Sequence, residues 1–142
     1  VEVSSHAGAR PRCAPYQGRI YSRSGRHPYY PALDTTSIGH PAGLFGINCG
    51  HVKYPYFEGD RRTYRPYPKA ENDRIYEESQ KQRYLERRIR YAKRELELMQ
   101  TLGDEKGITE AKAKIRQRQT AMREFIKDTG RTRRYDREQI VT

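Results

Sequence analysis

Gly103-Asp104-Glu105-Lys106-Gly107 interrupts the longest regular pattern in the chain, and the reading of its two flanks decides the fold. Before it, Ile75, Leu85, Ile89, Ala92, Leu96 and Met99 recur at three, four or multiples of these, while Lys, Arg and Glu fill the other faces. This spacing predicts one long helix over about residues 71–102, with Asn72 or Asp73 as its cap. After the break, Ile108, Ala111, Ile115, Met122, Phe125 and Ile126 mark the apolar face of a second helix. It should run to Asp128 or Thr129, with Gly130 as its stop. A short break between two amphipathic helices favours an antiparallel hairpin. Such an apolar stripe ordinarily becomes a packing seam; on long helices it also suits docking on neighbouring chains of an assembly.

Outward from the hairpin the composition changes near residue 70, because every proline, both cysteines and all four histidines precede it. Gly and Pro recur there too often for helices, and Gly18-Arg19-Ile20-Tyr21-Ser22 and His51-Val52-Lys53-Tyr54 alternate as strands do. The expected architecture is therefore α+β. Residues 1–69 form a small, loop-rich, Cys/His/Tyr-rich β module, 70–130 a long antiparallel helical hairpin, and 131–142 a basic C-terminal arm. Tyrosines such as Tyr16, Tyr21, Tyr54 and Tyr64 supply much of the module's bulk, which suits a thin core because the ring packs while the hydroxyl stays solvated or bonded.

Only 34% of the 142 residues are hydrophobic and none is Trp, which excludes a large core. A net charge of +11 points to a polyanion, most simply nucleic acid, or to an acidic protein surface. Arg131, Arg133, Arg134 and Arg137 concentrate that charge in the arm, where guanidinium groups suit phosphates or an acidic partner. No apolar run approaches the roughly 18 residues of a membrane span, so no membrane partner is expected. Val1-Glu2-Val3 has neither an initiator Met nor signal-peptide order, and the chain reads as an excised piece of something longer.

Cys13 and Cys49, with His51 two residues beyond the second, offer soft ligands from two distant segments, and His6 adds a fourth. Together they could close a tetrahedral zinc site and order a core-poor module. A Cys13–Cys49 disulfide and two buried free thiols are the alternatives. His27 and His40 each precede a proline and read as turn residues. Two catalytic arrangements use the same residues. One is a Cys49 nucleophile with His51 as base; the other is a metal-free nuclease with His6 or His51 and Arg10 or Arg12. Neither has a complete constellation, and nucleotide-binding and zinc-deaminase motifs are missing, so the chain is read as a non-enzyme.

The segment Ser4-Ser5-His6-Ala7-Gly8-Ala9-Arg10-Pro11-Arg12-Cys13-Ala14-Pro15-Tyr16-Gln17-Gly18, followed by Gly43-Leu44-Phe45-Gly46-Ile47-Asn48-Cys49-Gly50-His51, strongly resembles the C-terminal part of the phage minor capsid protein 2 family. More loosely, it is similar to the Mu F-type head-morphogenesis proteins. The resemblance implies a structural protein of a tailed-phage head, associated with portal or capsid chains, able to self-associate, and in contact with packaged DNA without sequence preference. Assembly in the bacterial cytoplasm, which it also implies, disfavours the disulfide and favours zinc. A toxin or nuclease effector domain carried by a phage head protein is the alternative function.

Overall fold

The computed structural model describes residues 1–141. Two compact units follow one another along the chain, Val1–Glu77 and the residues from Glu78 on.

The first unit holds less sheet than its alternation predicts. Strand β1 is Glu2–Val3 and strand β2 is Lys53–Tyr54; they pair antiparallel, with Glu2 opposite Tyr54 and Val3 opposite Lys53. The expected strand at Gly18–Ser22 is replaced by isolated bridges, Glu2 to Ile20 and Ser22 to Ala32. The reason is visible in the hydrogen bonds. Val3 donates to Arg19 O at 2.9 Å and accepts from Gly18 at 3.1 Å, after which the Gly- and Pro-rich chain turns away. Val3 thus lies between two segments, fully buried, in a small core with Cys13, Tyr21, Leu33 and Leu44. A core of this size contributes only about 1.5–3 kcal/mol per fully buried large side chain, so polar clamps matter here. The buried Glu2 carboxylate is one of them, accepting backbone N–H bonds from Thr63 and Tyr64 at 2.9 Å each.

Helix α1 runs from Lys69 to Leu102, starting earlier than the sequence suggests. Neither Asn72 nor Asp73 is its cap. Asn72 is buried inside the first turn, where Oδ1 accepts the Ala9 N–H and Nδ2 donates to the Ala9 carbonyl, each at 2.8 Å. A tertiary partner with a complete donor–acceptor pair outcompetes the local capping role.

In the second unit α1 is followed by α2, Glu105–Thr129. The turn is tighter than a five-residue break. Gly103 donates to Gln100 O and Asp104 to Met99 O, the two bonds that close a helix in a Schellman motif. Asp104 then caps α2 by accepting the Gly107 N–H at 3.0 Å. Gly107 is therefore helical, not the end of a loop. A Cβ there would stand 2.5 Å from Met99 Sδ, so its lack of a side chain allows close approach between the helices.

Leu85 and Ile89 of α1 pack with Met122, Phe125 and Ile126 of α2. Cross-links from Lys114 to Glu95 and from Arg118 to the Arg88 carbonyl make the pair antiparallel, as the sequence predicts. Gly130, at φ 69°, stops α2 in the left-handed conformation that glycine adopts without a Cβ penalty. Beyond it the chain makes a 3-10 turn at Tyr135–Glu138.

Candidate metal centre

Cys13 reaches the centre on a run of turns. Its N–H donates to Arg10 O at 2.8 Å, and its side chain is buried in the core of the first unit. Cys49 comes from a loop in which Phe45 (φ 60°) and Asn48 (φ 57°) both take left-handed backbone, uncommon for residues with side chains. Gly46 is required in that loop because a Cβ would lie 2.4 Å from Pro41 O. His51 follows two residues after Cys49 and is buried.

The three ligand atoms all lie within 4.8 Å of one another. Cys13 Sγ and Cys49 Sγ are 3.9 Å apart, and Cys49 Sγ is 3.3 Å from His51 Nδ1. Two sulfurs bound at about 2.3 Å to one tetrahedral ion stand roughly 3.8 Å apart, so the donor set fits zinc in both chemistry and span. Both cysteines are free thiols. His6 is not in this group: it is exposed, with its ring stacked on that of His51 at 4.3 Å between centroids.

Hydrogen bonds to backbone groups settle how the imidazole is oriented. Asn72 Oδ1 faces the Ala9 N–H, so it accepts, and Gln17 Nε2 donates to it at 3.3 Å. Gln17 Oε1 accepts the His6 N–H at 3.0 Å and lies 2.9 Å from His51 Nε2. That ring nitrogen must therefore carry the proton, which leaves the Nδ1 lone pair turned toward the sulfurs. Gln17 is 1% and Asn72 2% exposed, so the relay is shielded from water. Sequence motifs do not mark either residue, because a lone Gln or Asn carries no ligand spacing.

Arg10 supplies a second support. Its Nε donates to Cys13 Sγ at 3.3 Å, and its two terminal nitrogens donate to Ile47 O at 2.7 Å and Gly43 O at 2.8 Å. The guanidinium is thus spent on the loop and a thiol, not turned toward a substrate phosphate. Burial pushes the Cys13 thiol upward, and the Arg10 hydrogen bond opposes that shift. The Cys49–His51 contact is within reach of a thiol–imidazole pair, and Gln17 stands where an orienting group would. Yet burial first, then the charges of His6 and Arg10, lower His51 to about 4, which makes it a weak base but a neutral ligand at physiological pH.

Because His51 titrates lower in the folded chain than its ordinary 6.5, the unfolded state takes up its proton first as pH falls. Its contribution to stability is complete above about pH 6.5 and is lost between there and about 4, on the order of 2 kcal/mol. Urea unfolding of the protein as purified in reducing buffer, followed by tyrosine signal over that pH range, should show the loss. The same series on His51→Gln should be flatter.

The arm residues are placed in the second unit. Arg131 Nε donates to Gln82 Oε1 at 2.8 Å, Arg133 pairs with both Glu138 oxygens at 2.7 and 2.6 Å, and Arg134 pairs with Asp136 at 3.1 Å. Arg137 is exposed.

The family described as phage minor capsid protein 2 matches residues 1–127. The chain belongs to that family. Among curated relatives, this minor capsid protein 2 member is similar to a structural protein of Lactococcus phage LL-H, with 33% identity over 146 aligned positions. The match covers 96% of this chain but 38% of that protein, so the chain spans well under half the length of that relative. It is also similar to a structural protein of Lactococcus phage mv4, 35% identical over 117 positions covering 81% of this chain and 95% of the relative. No solved structure matches. The stretch matched by the minor capsid protein 2 family contains His6, Cys13, Cys49 and His51 and ends within α2.

Proposed function

We propose that this chain is a non-enzymatic component of the tailed-phage virion, docking through its helical hairpin on portal or capsid chains and meeting packaged DNA through its basic surface. Membership of the minor capsid family over residues 1–127 carries the structural role. Zinc held by Cys13, Cys49 and His51, with His6 as candidate for the fourth position, fastens the core-poor first unit; it would supply structure, not a reaction. Assembly in a bacterial cytoplasm keeps the thiols reduced and able to bind metal.

A row of apolar side chains supports docking. Tyr84, Tyr91 and Leu98 recur every seven residues on α1 and continue to Leu102, on a face other than the Leu85–Ile89 seam. Tyr91 is 60%, Leu98 53% and Leu102 66% exposed. A seven-residue repeat of this kind is what a partner helix packs against, and it would serve a second copy equally well. The DNA contact follows from the +11 charge and should be strongly salt-dependent.

Mass spectrometry of purified virions tests the reading. Tyr91→Asp with Leu98→Asp should reduce incorporation about tenfold or more, an effect of the size expected from removing interface anchors, while helical content stays unchanged. Incorporation equal to the parent chain would defeat the docking role.

A further inference from the structure

Most of the arginine in the C-terminal arm is already engaged: Arg131 by Gln82, Arg133 by Glu138 and Arg134 by Asp136. The concentration of unneutralised charge in the second unit lies elsewhere. Arg83, Arg87 and Arg90 stand at i, i+4 and i+7 on one face of α1, and Arg137 comes to the same place from the 3-10 turn. With Glu86 they line a cleft of about 240 Å³. Arg90 is pinned there by a hydrogen bond to the Arg137 carbonyl.

Glu86 is the acidic residue that lines the cleft. Its carboxylate is 2% exposed, and Oε1 has no hydrogen-bond partner among the described residues. Burial pushes the Glu86 carboxyl above its usual range, against the opposing charges of Arg137, Arg90 and Arg83. One carboxylate against four guanidinium groups leaves the cleft strongly positive. Like charges held so close repel unless an anion joins them. Arginine forks match the oxygens of a phosphate better than the point charge of lysine does.

We infer that the cleft of Arg83, Arg87, Arg90 and Arg137 around Glu86 is a phosphate site that holds the backbone of duplex DNA. The inference rests on the DNA-contact part of the proposed function and moves that contact from the arm to the side of α1. Arg83, Arg87 and Arg137 are exposed and able to reach phosphates, whereas Arg90 is tied to the Arg137 carbonyl and Glu86 is buried.

The test is fluorescence anisotropy of a labelled short duplex of arbitrary sequence, titrated with the full chain over a series of salt concentrations. The triple variant Arg83→Ala, Arg87→Ala, Arg137→Ala is compared with Lys106→Ala, Lys112→Ala, Lys127→Ala, which removes the same charge from exposed positions on α2. The cleft variant should bind about tenfold or more weakly at low salt. Its slope of log affinity against log salt should be shallower by roughly two to three, about one for each phosphate that is no longer neutralised. The lysine variant should change both much less. Equal losses in the two variants would overturn the cleft assignment while leaving diffuse DNA binding intact. No binding by the parent chain at low salt would overturn the DNA reading itself.

Discussion

Purified in reducing buffer, the protein is expected to carry about one zinc per chain, and stripping it should unfold residues 1–77 while most of the helical signal of α1 and α2 survives. The size of the effect follows from how little else holds the first unit. Its strands are two residues long and its main buried cluster is five side chains, one of them Cys13. Structural zinc typically contributes on the order of 10 kcal/mol to the folding of small modules, as much as that whole core. Cys49→Ser is the cleaner variant, because Cys49 is only partly buried whereas Cys13→Ser would also disturb packing. It should abolish stoichiometric metal. Gln17→Leu should weaken binding by about 10–100-fold, the usual effect of removing the group that orients a ligating histidine. Metal-free protein that stays folded in careful reduction would sink the site, and zinc retained by Cys49→Ser would show that other residues hold it.

Glu138→Ala should cost the second unit about 3 kcal/mol, although Glu138 sits in a short, highly charged segment where such a change is ordinarily mild. The Arg133 side chain is 11% exposed and its partner's 2%, with the guanidinium also 4.5 Å from the centre of the Tyr135 ring. Deleting the carboxylate strands a cation that has already left water, a far larger penalty than removal of an exposed ion pair. Replacing both partners, Arg133→Met with Glu138→Leu, should recover much of the deficit. Urea unfolding monitored by circular dichroism supplies the double-mutant cycle. A change below about 0.5 kcal/mol for Glu138→Ala, the range of ordinary surface substitutions, would mean that the pair is not closed in solution.

The helices are legible in the sequence because their signal is local and repeated. Period alone picks out Leu85, Ile89, Met122, Phe125 and Ile126, and these form the seam. Gly130 stops α2 where expected. The start of α1 is harder to read because Asn72 has the chemistry of a cap, and only the distant Ala9 backbone reveals its other use. Alternation overstates the sheet at Gly18–Ser22 for a similar reason. Pairing in a two-residue strand depends on partners far along the chain, and Glu2–Val3 is too short to alternate visibly. Residue type alone singles out Cys13, Cys49 and His51, and they do converge; His6 approaches only by stacking on His51. Density is what points to the arm's arginines, and density cannot foresee that Glu138 and Asp136 claim two of them.

The hairpin turn has a practical consequence for anyone wishing to tag this chain. Asp104 both completes the closing bonds of α1 and caps α2, and Gly107 lies close against the Met99 side chain. An epitope or fluorescent fusion placed between the helices would therefore break two helix ends at once. The turn at residues 57–60, exposed throughout, is the better insertion point for a tag.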